Sequence, residues 1–294
     1  MPITSDSKQH RIIVGIENLP TPPIVYTRID AAVADPNTSA YQIASIIAED
    51  PAMSAKILRV SNSAFYGSRV EITSVKQAIV TIGLEAVKSV VLSASLFKSF
   101  NSGPEFANYQ EDFWRHSLLV GSACRVLIRK FSNQWIQDAD NAFSAGLLHD
   151  IGKLAMVCFL PEDWNKLHES RKKVIMPLYD LEKKALGYTH AEVGQALAAK
   201  WNLPKFLQDA IAWHHEPLHS PRENSLATMV YCADYVSRFS MEEDDEATQT
   251  DLQAVDMDVL NSMKIEPMNL LELKSLVIEE YSKSQVFLEI AKGL

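Results

Sequence analysis

Apolar residues recur along this chain at spacings of three and four, the period of helices that pack by one face. No segment shows the convincing alternation of a half-buried strand. From about residue 12 the pattern predicts short helices. Two candidate starts repeat a signal, DPNTS at 35–39 and DPAMS at 50–54. In each, aspartate can cap a helix N-terminus and proline can take the first helical position. Ile43, Ile46 and Ile47 share a face after the first start. Met53, Ile57, Leu58 and Val60 follow the second. NSAFYGS at 62–68 reads as a turn carrying aromatics, and SVKQAIVTIGLEAVKSVVLSASLF as two helices hinged near Gly83. Residues 12–104 are therefore expected to form a bundle of about five short helices.

NSGPEFANY at 101–109 reads as a linker into a second helical region, 105–240, whose first helix starts near Gln110. Val120, Ala123, Leu127 and Phe131 continue the face on which His116 sits. NAFSAGLLHDIGKLAMVCFL reads as one very apolar, central helix. THAEVGQALAAKWNLP at 189–204 opens with Thr189 and Glu192, a capping box, and closes on Pro204. PKFLQDAIAWHHEP and SLATMVYCADYVSRF give two more helices. Residues 241–294 complete the chain with an acidic surface loop, MEEDDEATQTD, and amphipathic helices over about 267–293. The fold class expected is all-α, an N-terminal helical bundle packed on a second one.

Composition agrees. The apolar share of 47% suits a globular core, and 10 glycines in 294 residues are few for a fold rich in tight turns. A net charge of −9 argues against a general nucleic-acid binder, since neutralising phosphates needs a basic surface. Cys124, Cys158 and Cys232 form no CxxC pair and suit reduced, buried thiols. The opening MPITSDSKQHR has no apolar core of a signal peptide. No uninterrupted apolar stretch approaches the ~20 residues of a membrane helix. The expectation is a cytoplasmic protein with neither nucleic acid nor membrane as partner.

One stretch departs from the apolar pattern. GLLHDIGKLAM, residues 146–156, sets His149, Asp150 and Lys153 among core residues. Buried ionisable groups are costly unless paired or bound to a metal. Other histidines and carboxylates of the second region join them: His116, His190, His214, His215 and Asp234. All but His190, at a helix start, fall within expected apolar helices. A bundle can project such side chains from separate helices into one interior site. Imidazole and carboxylate donors suit zinc, iron or manganese. Lys153 lies three residues after Asp150 and four after His149, so it shares their face.

The pattern H…HD…D resembles that of the HD-domain metal-dependent phosphohydrolases, here His116, His149, Asp150 and Asp234. The resemblance implies that His190, His214 and His215 would hold a second ion and that Asp150 would bridge the two. It also implies a catalytic or substrate-contacting role for Asp150 and Lys153, the lysine on phosphate. Asp112, four residues before His116, lies near where some trinuclear relatives have a third metal ligand; its other reading is a solvated charge. LPTPPIVYTRIDAAVADPNTS, the second DP helix, NSAFYG, AGLLHDIGKL, THAEVG, WNLP and HH together resemble the HDOD family, the HD-related output domains, over about residues 17–240. That resemblance implies a bacterial signal-transduction output module binding one or two divalent transition-metal ions (Fe, Mn or Zn). The alternative it implies is a phosphohydrolase acting on a nucleotide or cyclic dinucleotide. After His215 the chain reads EPLHSPR, without the GYP loop of the cyclic-di-GMP phosphodiesterases. The expected partners are a signalling protein at the N-terminal helices and a phosphorylated small molecule; Phe65, Tyr66 and Arg69 read either as a contact surface for the first or as a turn whose aromatics pack inward.

Overall fold

The structure is a computed structural model. It describes residues 24–100, 104–131, 139–171, 174, 176–221, 226–240, 256–266 and 272–291. The expected helix onset near residue 12 and the acidic loop at 241–251 lie outside the described residues. Among the described residues there is no strand, and the fold is all-α.

Five helices make the N-terminal bundle: α1 (Ile24–Val33), α2 (Ala40–Ala48), α3 (Pro51–Ser61), α4 (Val75–Ile82) and α5 (Leu84–Ser99). The second DP signal works as expected, with Asp50 accepting from Met53 N and Pro51 first in α3. The first does not. Asp35 is used in a local turn, accepting from the backbone of Asn37, and α2 starts at Ala40. Ser39 caps it and Gln42 completes a capping box. Helices α4 and α5 meet at Gly83, as the sequence suggested.

The second region opens with α6 (Pro104–Lys130), which begins six residues before the expected Gln110 and absorbs part of the expected linker. A proline tolerates the first helical position because its missing N–H would be unpaired there anyway. The apolar run expected as one helix is two, α7 (Ala139–Leu148) and α8 (Ile151–Phe159), with His149 and Asp150 at the turn. Asp150 has φ −97° and ψ 11°, outside helical geometry. Periodicity could not reveal this break because both flanks are apolar. Taken together, Ala139–Phe159 is by length and composition apolar enough to cross a membrane, although His149, Asp150 and Lys153 interrupt it, and 78% of its apolar window is buried inside the protein, as in a core helix. Then come α9 (Pro161–Arg171), α10 (Leu178–Ala185), α11 (His190–Lys200), α12 (Lys205–Trp213) and α13 (Leu226–Ser240). The Thr189–Glu192 capping box starts α11. The last helices are α14 (Met257–Met263), earlier than expected, and α15 (Lys274–Ala291).

Helix α7 is the centre, packed between α6, α13, α5 and α12, while α8 packs on α11. Two glycines of the GLLHDIG stretch permit this. A Cβ on Gly146 would stand 2.7 Å from Gly121 Cα of α6, and one on Gly152 1.9 Å from the carbonyl oxygen of His190. Backbones this close draw the helix bearing His116 and the helix bearing His190 onto the turn that carries Asp150.

Within the NSAFYG turn Phe65 packs inward, while Tyr66 is half-buried and nearby Arg69 is exposed. Phe65 is 4% exposed and lies 5.0 Å from Phe143 and 5.2 Å from Phe287, ring to ring. The Arg125 guanidinium sits 3.9 Å above it and pairs with buried Glu280 of α15. Phe65 is therefore a tie between three parts of the fold and not a contact surface. Cys124 and Cys232 are buried, Cys158 is half-buried, and all three are free thiols.

Candidate metal centre

Each site residue stands at a helix end or on a helix facing the α7–α8 turn. His149 and Asp150 form that turn; His190 is the first residue of α11; His214 and His215 follow the last residue of α12. His116 and Asp234 project from within α6 and α13. The sequence reading had placed His149, Asp150, His214 and His215 inside helices. The helices stop there, and each pair of residues turns inward.

The seven converge on the carboxylate of Asp150, which is 2% exposed. Its Oδ1 lies 3.1 Å from His190 Nε2 and 3.5 Å from His214 Nε2. His190 Nε2 is in turn 3.3 Å from His214 Nε2 and 3.1 Å from His215 Nε2. Oδ2 lies 3.3 Å from His149 Nε2, 3.8 Å from His116 Nε2 and 2.5 Å from Lys153 Nζ. His116 Nε2 also lies 3.3 Å from Asp234 Oδ1, and Arg238 of the same helix donates to Asp234 Oδ2 at 2.5 Å. Two groups thus have ligand atoms mutually close enough for one ion: Asp150 with His190, His214 and His215, and Asp150 with His116 and His149.

The outer nitrogens fix how these rings face. His149 Nδ1 is 2.7 Å from the carbonyl of Gly146, His214 Nδ1 2.9 Å from that of Ile211, and His190 Nδ1 2.7 Å from Glu182 Oε2. A carbonyl or carboxylate oxygen only accepts, so each Nδ1 carries a proton and each Nε2 is the nitrogen turned inward. This is the arrangement typical of metal-ligating histidines. Asp150 Oδ1 and Asp234 Oδ1, both buried, accept no hydrogen bond in this arrangement. Ligand atoms on a tetrahedral ion at ~2.1 Å would be about 3.4 Å apart, close to the separations found. The donor set therefore fits a divalent transition metal.

The charges suit the same use. Burial holds the His214 pKa down at about 4, and burial with the neighbouring imidazoles puts His215 well below its usual value, so both rings are neutral donors. Burial also lowers His190, but the Glu182 and Asp150 carboxylates outweigh it and the net shift is upward. Burial would raise Asp150; His149 and Lys153 overcome that and hold it well below the carboxylate range. Asp234 is lowered likewise, with Arg238 and His116 overcoming its burial.

Beside the cluster opens a cavity of about 240 Å³, lined among others by Lys153, Tyr179, Tyr231, Tyr235 and Arg238. The structure does not bring Asp112 to the site: it is exposed and pairs with Arg115. Glu182, which the sequence reading missed, does belong to it. Its signal was faint, an acidic residue in a short, charged helix, LYDLEKKA.

The HDOD domain model matches residues 19–217. The chain belongs to the HDOD family. An HDOD domain protein of unknown function from Geobacter sulfurreducens superposes with a TM-score of 0.73 at 22% identity, covering 95% of this chain and 98% of that one. A Shewanella amazonensis protein, provisionally called a metal-dependent phosphohydrolase, gives 0.65 at 23% identity, with 96% and 99% covered. At these identities the likeness shows the shared fold. Among curated sequences, an uncharacterized protein of Treponema pallidum is 26% identical over 225 residues, 76% of this HDOD chain and 43% of its own length. A ribonuclease Y of Thermus thermophilus is 29% identical over 131 residues, 45% of this chain and 17% of that protein. The chain thus spans less than half the length of the curated relatives it matches.

Proposed function

We propose that this HDOD protein is a cytoplasmic signal-transduction module whose HD-like half holds one or two ions of iron, manganese or zinc. The ligands would be His190, His214, His215 and Asp150 Oδ1 on one side, and His116, His149, Asp234 and Asp150 Oδ2 on the other. One observation carries the reading. Asp150 Oδ1 is buried among imidazole nitrogens and accepts no hydrogen bond. Such a group is destabilising unless a cation occupies the gap between the lone pairs. The exposed apolar side chains Ile24, Tyr41, Val70 and Val80, 66–72% accessible, give the N-terminal half surface for a signalling protein.

A second reading, a metal-dependent phosphohydrolase, is favoured by the cavity. Lys153 and Arg238 bring two cations to its wall beside the metal ligands, and Tyr179, Tyr231 and Tyr235 add ring faces. That combination suits a phosphorylated small molecule. Bound metal would supply Lewis acidity and a water of lowered pKa. The chain's own residues would do the rest. Asp150 would hold both ligand sets in register, and Lys153 would bind a phosphoryl oxygen. The ribonuclease name of one relative is not extended to this chain, whose net charge of −9 disfavours a polyanion.

Metal analysis by mass spectrometry, on protein purified without added metal and without oxygen, tests the primary reading. One or two ions per chain, absent from Asp150→Ala, are expected. Metal-free wild-type protein that also fails to take up added Fe²⁺, Mn²⁺ or Zn²⁺ would overturn it.

A further inference from the structure

Glu182 is fully buried in α10, and both hydrogen bonds to its Oε2 come from one residue: His190 N at 2.8 Å and His190 Nδ1 at 2.7 Å. Its Oε1 accepts none, and no lysine or arginine pairs with it among the described residues. A buried carboxylate without a cation is a poor way to stabilise a fold. Capping the first N–H of α11 would explain one bond but not the other.

The difference between the histidines explains the second. His149 and His214 each follow a helix, so each Nδ1 reaches the carbonyl three residues back, Gly146 and Ile211. His190 begins a helix. No preceding helical turn exists to offer it a carbonyl, so the acceptor must come from another element. Helix α10 supplies it, and the same helix stacks Tyr179 on the His215 ring at 4.3 Å and 28°.

We infer that Glu182 is the positioning residue of this centre. It fixes the His190 ring with its proton on Nδ1 and its Nε2 lone pair toward Asp150 Oδ1, and so sets the affinity of the three-histidine group. The inference rests on the metal reading above. A carboxylate at the outer nitrogen also makes the imidazole a stronger donor than a carbonyl does. Glu182 thus makes His190 the anchor of its group.

The test combines histidine ¹⁵N NMR of the metal-free protein with Zn²⁺ and Mn²⁺ affinities measured by chelator competition. The variants are Glu182→Gln, whose amide oxygen can still accept, and Glu182→Met, which cannot. Lys184→Ala is the control, because it alters an exposed side chain of the same helix. The wild type should show His190 protonated at Nδ1. Affinity should fall in the order wild type, Glu182→Gln, Glu182→Met, with about a ten- to hundredfold loss overall. Lys184→Ala should stay within about twofold of wild type, and the melting temperature of metal-free Glu182→Gln should match wild type. A role in stability alone would leave affinity and tautomer unmoved. Wild-type metal binding with an unchanged affinity in Glu182→Met overturns the positioning role alone. Absence of wild-type binding overturns it together with the metal reading. Should neither variant fold, the wild-type spectrum decides: a His190 protonated on Nε2 alone rules the inference out.

Discussion

Three imidazole nitrogens and no ammonium or guanidinium surround Oδ1 of Asp150, whereas Oδ2 faces His149, His116 and the Lys153 ammonium at 2.5 Å. The Oδ1 side is buried apart from His215, and its three histidines come from two helix ends. The Oδ2 side is wetter, with His116 one-third exposed, and its second carboxylate, Asp234, is already paired with Arg238. The contrast separates a gap whose carboxylate oxygen meets only imidazoles from a gap whose oxygen already holds the Lys153 ammonium. The first should take an ion readily. The second must give up or rearrange an ammonium to do so.

The harshest way to break the comparison is to remove its pivot. Asp150→Ala should abolish metal at both sides, read as ions per chain. Retention of a full ion would show that the two sides do not share this carboxylate. Next come single ligands. His214→Ala should weaken the tighter binding step by about a hundredfold or more, and His116→Ala the weaker step by about tenfold, in line with the incomplete coordination each would leave. Equal losses from the two variants, measured by calorimetry, would erase the distinction drawn between the sides.

Acid should expose the same asymmetry without mutation. The His214 pKa is about 4 in the folded chain, below the ordinary value of 6.5, so the folded state resists its protonation. That contribution is complete above about pH 6.5 and is lost as pH falls toward 4. At pH 5 the loss from His214 is on the order of 2 kcal/mol. His215 shifts the same way and adds to it; His190, raised, opposes it. Denaturant melts of metal-free protein at pH 7.5 and 5 should show the fall. His214→Gln should show less of it, and an undiminished fall in that variant would assign it elsewhere.

Much of this centre was legible because its chemistry is expensive. His149, Asp150 and Lys153 stood out as ionisable groups in an apolar run, and His116, His149, Asp150, His190, His214, His215 and Asp234 come together in the structure. What sequence could not give was the break at His149–Asp150, since the flanking residues are apolar whichever way the chain turns. Nor could it give Glu182, whose importance lies in an eight-residue separation from His190 that only the path of the chain closes. Asp112 misled for the converse reason. It shares a helical period with His116, but one turn along α6 suffices to carry it into solvent beside Arg115. The NSAFYG turn had two physical readings, and the Arg125–Glu280 pair with its aromatic neighbours supports the inward one.

The smallest effect separates the two sides most finely, because it should change sign between ligands. Lys153 Nζ occupies Asp150 Oδ2 and also lines the cavity. Lys153→Met keeps the side chain's length and removes its charge. The Oδ2 side then loses a competitor for the incoming ion, and the weaker metal step should tighten by roughly tenfold, about 1.4 kcal/mol. The Oδ1 side has no such competitor and should change little. Inorganic phosphate, by contrast, should bind the variant more weakly, since one of the two cations at the cavity wall is gone. Calorimetric titration with Mn²⁺ and then with phosphate reads both. If phosphate binding persists while the weaker metal step is unaltered, Lys153 serves only to neutralise Asp150, and the asymmetry between its oxygens is one of packing alone.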